Sequence, residues 1–327
     1  MTATSPKLER SYSLSFVGDW GQANFHRVCS WLTEEFCSRA GPASRTAIWS
    51  IRGGGIEALD LVQAGEADLC IVTPAMLMPL ALRGEGLFAA RPAPNLRALA
   101  QLPQDDRMVL AIDPKFGIAT FEELRDRRPP LRIAACSSDG TNFIGHVGRL
   151  LMEAHGIDEA TLRSWGGGYV EDAHPFRSFG RMARREADAV LQEAVMAPPW
   201  RDLVENDQVV PLPAEPAALD QLAERFGFGR NDLPAGYWSR LAGETPALDF
   251  SDFLVLVRDD MNDDVARLLT WCLVETRGWI EAQYRHLPPD RSPLGYPFDP
   301  KRMARTTIPL HPAAERYYRA AGHLPSP

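Results

Sequence analysis

The sequence predicts an α/β fold of two lobes, each a mainly parallel sheet flanked by helices. Three observations carry this. Short apolar runs alternate with amphipathic stretches along 327 residues, a length that suits two lobes better than one average domain. Strand-like runs lead repeatedly into glycine- or hydroxyl-rich turns that open helices. One segment is also echoed: Glu66-Ala67-Asp68 opens EADLCIVTPAM, and Glu186-Ala187-Asp188 opens EADAVLQEAVM.

The elements follow in order. Residues 13–18 (SLSFVG) read as a strand, and the loop 19–24 (DWGQAN) follows. Phe25, Val28, Leu32 and Phe36 recur at helical spacing until Gly41-Pro42 stops the helix. Residues 46–51 form the next strand, Gly53-Gly54-Gly55 the turn, and Ile56, Leu59 and Val62 one face of a short helix ending at Gly65. Residues 69–72 are a buried strand, and 97–102 and 108–112 are two more. A loop and helix span 113–128. The strand 131–136 then feeds SSDGTN and a helix with Phe143, Val147, Leu150 and Leu151 inward. Further helices are expected near 175–185, after Pro199, at 220–226, over 263–284 as one long helix, and at 312–321. Strands are expected at 187–191, 209–213 and 250–258. FLVLVR is apt to return to the first sheet, so lobe one is read as 1–112 plus 248–327 and lobe two as 113–247.

Composition bounds the function. A net charge of −8 with no dense basic patch gives no footprint for nucleic acid. Five cysteines, none in a CxxC, read as buried free thiols. No run approaches the roughly 20 apolar residues of a membrane span, and the first residues lack a signal-peptide core. The expectation is a soluble protein, cytoplasmic as written and periplasmic if a leader was removed.

The glycines raise the sharpest question. Gly53-x-Gly55-x-x-Ala58 fits the loose dinucleotide pattern, but the acid that should hold the ribose, Asp68, precedes its strand instead of ending it. Two readings stay open: a tight turn needing positive φ, and a helix N-terminus whose free N–H groups suit a small anion, with Arg52 as a carboxylate clamp. The turn carrying Ser138, Asp139, Thr141 and Asn142 is a second such place, with plain N-capping as its alternative. The first loop is a third: Asp19, Trp20 as a stacking face, and Asn24 as a cap or ligand bond. By the internal echo, Thr73 and the Gln192-Glu193 pair follow equivalent strands, where open α/β sheets bind ligands. Two lobes carrying such turns would face each other across a ligand cleft. No motif for a nucleophile or a metal stands out, so neither cofactor nor metal is expected. Glu171, Asp172 and His174 read as a solvated helix start before a cation site.

Taken in order, FVGDWGQANFHRV, IRGGGIEALDLV, AGEADLCIVTPAM, IAACSSDGTNFIGHVGRLLMEAHGI, RREADAVLQEAV and the segment 311–318 (HPAAERYY) resemble the TAXI-type solute-binding proteins of TRAP transporters. The resemblance runs from about residue 13 to 322 and implies the two-lobed periplasmic-binding-protein-like (type II) fold. It implies a small organic acid or amino acid as ligand, TRAP membrane subunits as partners, and binding by the loops just named. Arg52 stands where that family often has Thr. A cytoplasmic enzyme on the same fold (a decarboxylase, a dehydratase or thiamine-related chemistry) and a cytoplasmic ligand sensor are the alternatives.

Overall fold

The computed structural model describes residues 5–19 and 24–325. The chain divides into two compact units, residues 1–105 with 252–327, and residues 106–251. The first unit begins with β1 (Ser13–Val17), α1 (Asn24–Cys37), β2 (Arg45–Trp49), α2 (Gly55–Gln63), β3 (Leu69–Val72), α3 (Met78–Arg83) and β4 (Leu96–Leu102). The second holds β5 (Arg107–Ile112), α4 (Phe121–Arg127), β6 (Arg132–Cys136), α5 (Phe143–Ala154), α6 (Glu159–Ser164), β7 (Gly168–Asp172), α7 (Pro175–Ala183), β8 (Ala189–Gln192), α8 (Pro198–Glu205), β9 (Val210–Pro211), α9 (Pro216–Phe226) and β10 (Leu248–Asp249). The first unit is completed by β11 (Phe253–Arg258), α10 (Asp263–Glu275), α11 (Arg277–Tyr284), α12 (Pro300–Met303) and α13 (Pro312–Ala320).

The sheets are mixed, not mainly parallel. The first has the order β2-β1-β3-β11-β4, and the second runs β10-β5-β8-β6-β7 with β9 beside β5. The triplets β2-β1-β3 and β7-β6-β8 are parallel, while β11 and β5 run against their neighbours. Chain direction explains this. β4 leads out of the first unit and β11 leads back in, so the two share the junction end and pair antiparallel. β5 and β10 do the same in the second unit. Residues 107–112 and 248–249, expected in the first lobe, are therefore strands of the second sheet. The long helix expected over 263–284 breaks at Thr276, whose hydroxyl donates to the Cys272 carbonyl and accepts from Trp31 Nε1.

Each unit has its own core. Phe16, Leu32, Phe36, Leu69, Val255 and Tyr318 lie in the first core, and Val190, Trp200, Leu203 and Trp238 in the second. Full burial of such side chains contributes roughly 1.5–3 kcal/mol each.

The echoed segment is a structural repeat. α2 and α7 both have nine residues, and β3 and β8 both have four, at one constant offset. Both helices end in a left-handed residue, Gly65 (φ 76°) and Arg185 (φ 58°). Asp68 donates its N–H to the Ser15 carbonyl at 2.9 Å, and its carboxylate accepts from Ser15 N–H at 2.7 Å. Asp188 does the same with Arg132, at 2.8 and 3.2 Å. Asp188 also binds the Arg132 guanidinium and Lys115; these contacts outweigh its burial and hold its carboxyl well below the usual range.

α5 seats against the end of β6 through Gly145. A Cβ built there would lie 1.9 Å from the Ser137 carbonyl oxygen, a backbone atom that cannot swing aside. Gly145→Ala should lift the start of α5 off β6 and cost about 1–3 kcal/mol, read as a lower midpoint in urea denaturation; an unchanged midpoint would mean that the approach is not constrained.

Candidate functional site

In each unit the carboxyl ends of a parallel triplet bring three loops to one sheet edge. In the first unit these loops follow β1, β2 and β3 and carry Asp19, Asn24, Arg52 to Gly55, and Thr73. In the second they follow β6, β7 and β8 and carry Ser138 to Asn142, residues 173–176, and Gln192 with Glu193. Trp20 lies outside the described residues.

The first unit uses several of these groups internally. Buried Asp19 accepts from Phe25 N–H at 3.1 Å and so caps the start of α1. Asn24 donates to the Pro293 carbonyl at 2.8 Å and accepts from the Tyr284 hydroxyl. Gly53 donates its N–H to the Glu57 carboxylate, so the chain's own acid occupies part of the helix start. Gly54 is extended, with φ −175°, which any residue adopts; a positive φ is not what calls for glycine there. Arg52 is exposed beside it. Thr73 Oγ1 donates to the Asp252 carbonyl at 3.1 Å and lies 3.4 Å from Gln104 Oε1.

In the second unit Asn142 is the N-cap of α5, accepting from Ile144 and Gly145 N–H groups at 2.8 and 3.3 Å. Asp139 accepts from the Thr141 N–H and hydroxyl at 3.0 and 2.7 Å, which folds the turn upon itself. Ser138 and Asp139 are exposed. Gln192 is fully buried and donates its amide to Pro175 O, Ser178 Oγ and Cys136 Sγ.

Glu193 is part of a buried acid pair. It bonds to Asp106, which sequence reasoning missed because a lone acid between two strands gives no pattern. The Asp106 carboxylate also accepts three backbone N–H groups, from Arg107, Val195 and Ala194, at 2.7, 3.1 and 3.0 Å. Ala194 takes a left-handed φ of 60° to deliver its N–H. Burial raises the Asp106 carboxyl, but Glu193 and the three N–H donors counter that, so of the two acids Glu193 keeps the proton and donates it. Burial, then the charge of Asp106, raises the Glu193 carboxyl well above its ordinary range. Trp200 Nε1 fixes the Glu193 carbonyl at 2.7 Å.

The repeat also brings the residues near 174 into line with the glycine turn. The offset that carries β3 onto β8 carries Gly54 onto His174 and Gly55 onto Pro175. Glu171 and Asp172, weighed as part of a cation site, pair instead with Arg149 and Arg181. Among the described residues no group of three or more His, Cys, Asp or Glu could hold a metal ion. All five cysteines are free, and Cys29, Cys70, Cys136 and Cys272 are buried.

The sequence matches the NMT1-like family over residues 38–322. The chain belongs to the NMT1-like family. No curated protein gives a match. Solved structures with the same two-lobed, periplasmic-binding-protein-like fold include one described as a periplasmic transporter, at 12% identity and TM-score 0.52, over 95% of this chain and 93% of that one. PhnD1 from Prochlorococcus marinus in complex with methylphosphonate has 11% identity and a TM-score of 0.54, over 95% and 99% of the two chains. MatC from Rhodopseudomonas palustris with bound malate has 12% identity and a TM-score of 0.52, over 95% and 98%. At these identities the likeness shows the fold of this NMT1-like protein. Among its described residues no helix is long and apolar enough to cross a membrane.

The acid pair makes stability depend on pH. Because the folded Glu193 pKa is raised, the pair's contribution is complete below the unfolded value of about 4.3 and is lost as pH rises through the folded one. Glu193→Gln keeps a donor for Asp106 and cannot ionise. The denaturation midpoint of the parent protein should fall as pH is raised from about 5 to 9, and that of Glu193→Gln should fall less; parallel profiles would contradict the pairing.

Proposed function

We propose that this NMT1-like protein is a TAXI-type solute-binding protein. It captures a small organic acid or amino acid at the strand-end loops of its two units and serves the membrane subunits of a TRAP-type transporter from the periplasm. The observation that carries this is the repeated half. Each unit presents three loops at the carboxyl edge of a parallel triplet, the edge at which open α/β sheets bind ligands. Each edge offers a polar group that suits a small acid: exposed Arg52 in the first unit for a carboxylate, and the exposed Ser138 hydroxyl in the second as a donor. Structures of the same fold hold methylphosphonate and malate, both small anions.

Purified protein incubated with a panel of organic and amino acids should show a thermal shift without turnover. Arg52→Ala should weaken the tightest member about ten- to hundredfold in titration calorimetry, the loss of one charged hydrogen bond. No shift from any member would sink the proposal, and consumption of the acid would replace it with an enzyme on this fold.

A further inference from the structure

The repeat exposes a difference between the two halves. Ile56, the second residue of α2, is fully buried, whereas Phe176, the second residue of α7, is 42% exposed. The inward stripe is kept from the fourth residue on: Ala58, Leu59 and Val62 are buried in α2, as Ser178, Phe179 and Met182 are in α7, while Pro175 is buried where Gly55 is only partly so. Phe176 thus stands outside the stripe that α7 gives to its core, at a position its counterpart buries.

A single exposed aromatic needs no explanation by itself; its place does. Phe176 lies in the first turn of α7, four residues after the end of β7, and its ring lies 5.8 Å from His174 and 6.1 Å from Phe179. The backbone is held there. His174 Nδ1 accepts from Phe176 N–H at 3.3 Å, and Pro175 fills the first helical position. This corner is continuous with the Ser138–Asn142 turn, because Ser137 N–H donates to the Asp172 carbonyl at 3.1 Å and Asn142 Nδ2 to the Ala173 carbonyl at 3.5 Å. The corner that carries Phe176 therefore adjoins the turn that carries the Ser138 hydroxyl.

We propose that Phe176, flanked by His174, is an apolar contact for the bound acid, and that the ligand carries an aryl group beside its carboxylate. This rests on the solute-binding reading. A flat ring matches an exposed phenyl face, whereas a short dicarboxylate would leave it bare to water.

The test is titration calorimetry on the full chain with paired probes: phenylacetate against acetate, phenylpyruvate against pyruvate, and phenylalanine against alanine, with malate and glutamate as polar members. Aryl members should bind at least about tenfold more tightly than their partners. Phe176→Ala should weaken them about tenfold while leaving the small members unchanged, and Phe176→Leu should recover part of the loss. Thermal melts verify that both variants fold. If Phe176→Ala leaves aryl binding unchanged, or if malate or glutamate binds as tightly as the aryl acids, the inference falls and the solute-binding reading stands. If no member binds, both fall.

Discussion

A carboxylate at the head of the central parallel strand fixes each half of this molecule. Asp68 and Asp188 each close two backbone hydrogen bonds onto the neighbouring strand, one through their own N–H and one through their side chain. β3 and β8 have only four residues, so pairing at one end sets the height of the loop at the other. A slip of one residue would turn every buried side chain of these strands to the opposite face. Thr73 and Glu193 stand five residues beyond these aspartates, and their positions follow from the same clamp.

The second half adds a further constraint. Asp106 gathers the N–H groups of the β8 exit loop and shares the Glu193 proton, so the loop is tied to the start of β5. Burying two acids side by side is costly unless one stays protonated and the other is well supplied with donors, and both conditions are met. In sequence, Glu193 looks like a charge that would repel an anionic ligand. In the folded unit burial and the charge of Asp106 raise the Glu193 carboxyl, which favours its neutral form.

Much of the fold was legible because its signals are local. The heptad-like recurrence in α1 and α5 and the apolar runs of β3, β5 and β11 lie within single segments. The repeat was visible in two EAD triplets, since the same clamp needs the same aspartate. Strand direction was not legible, because it follows from where the chain leaves and re-enters a unit. The break at Thr276 was hidden because the flanking residues keep a helical apolar pattern across it. At the candidate site, residue type pointed to the strand-end loops and missed the use of individual groups. Asn24, Asn142 and Gln192 look like ligand donors in sequence, yet Asn142 caps α5, and Asn24 and Gln192 bind groups distant in the chain. Phe176 was overlooked because one aromatic in a helix reads as core until its exposure is known.

The proposed ligand site lies at the carboxyl edge of each parallel triplet. Backbone hydrogen exchange, with and without the tightest-binding acid, tests it most directly. The account predicts slowed exchange at residues 52–56, 138–142 and 174–176, with little change along α10 and α13. Protection confined to α10 and α13, with those loops unaffected, would contradict it.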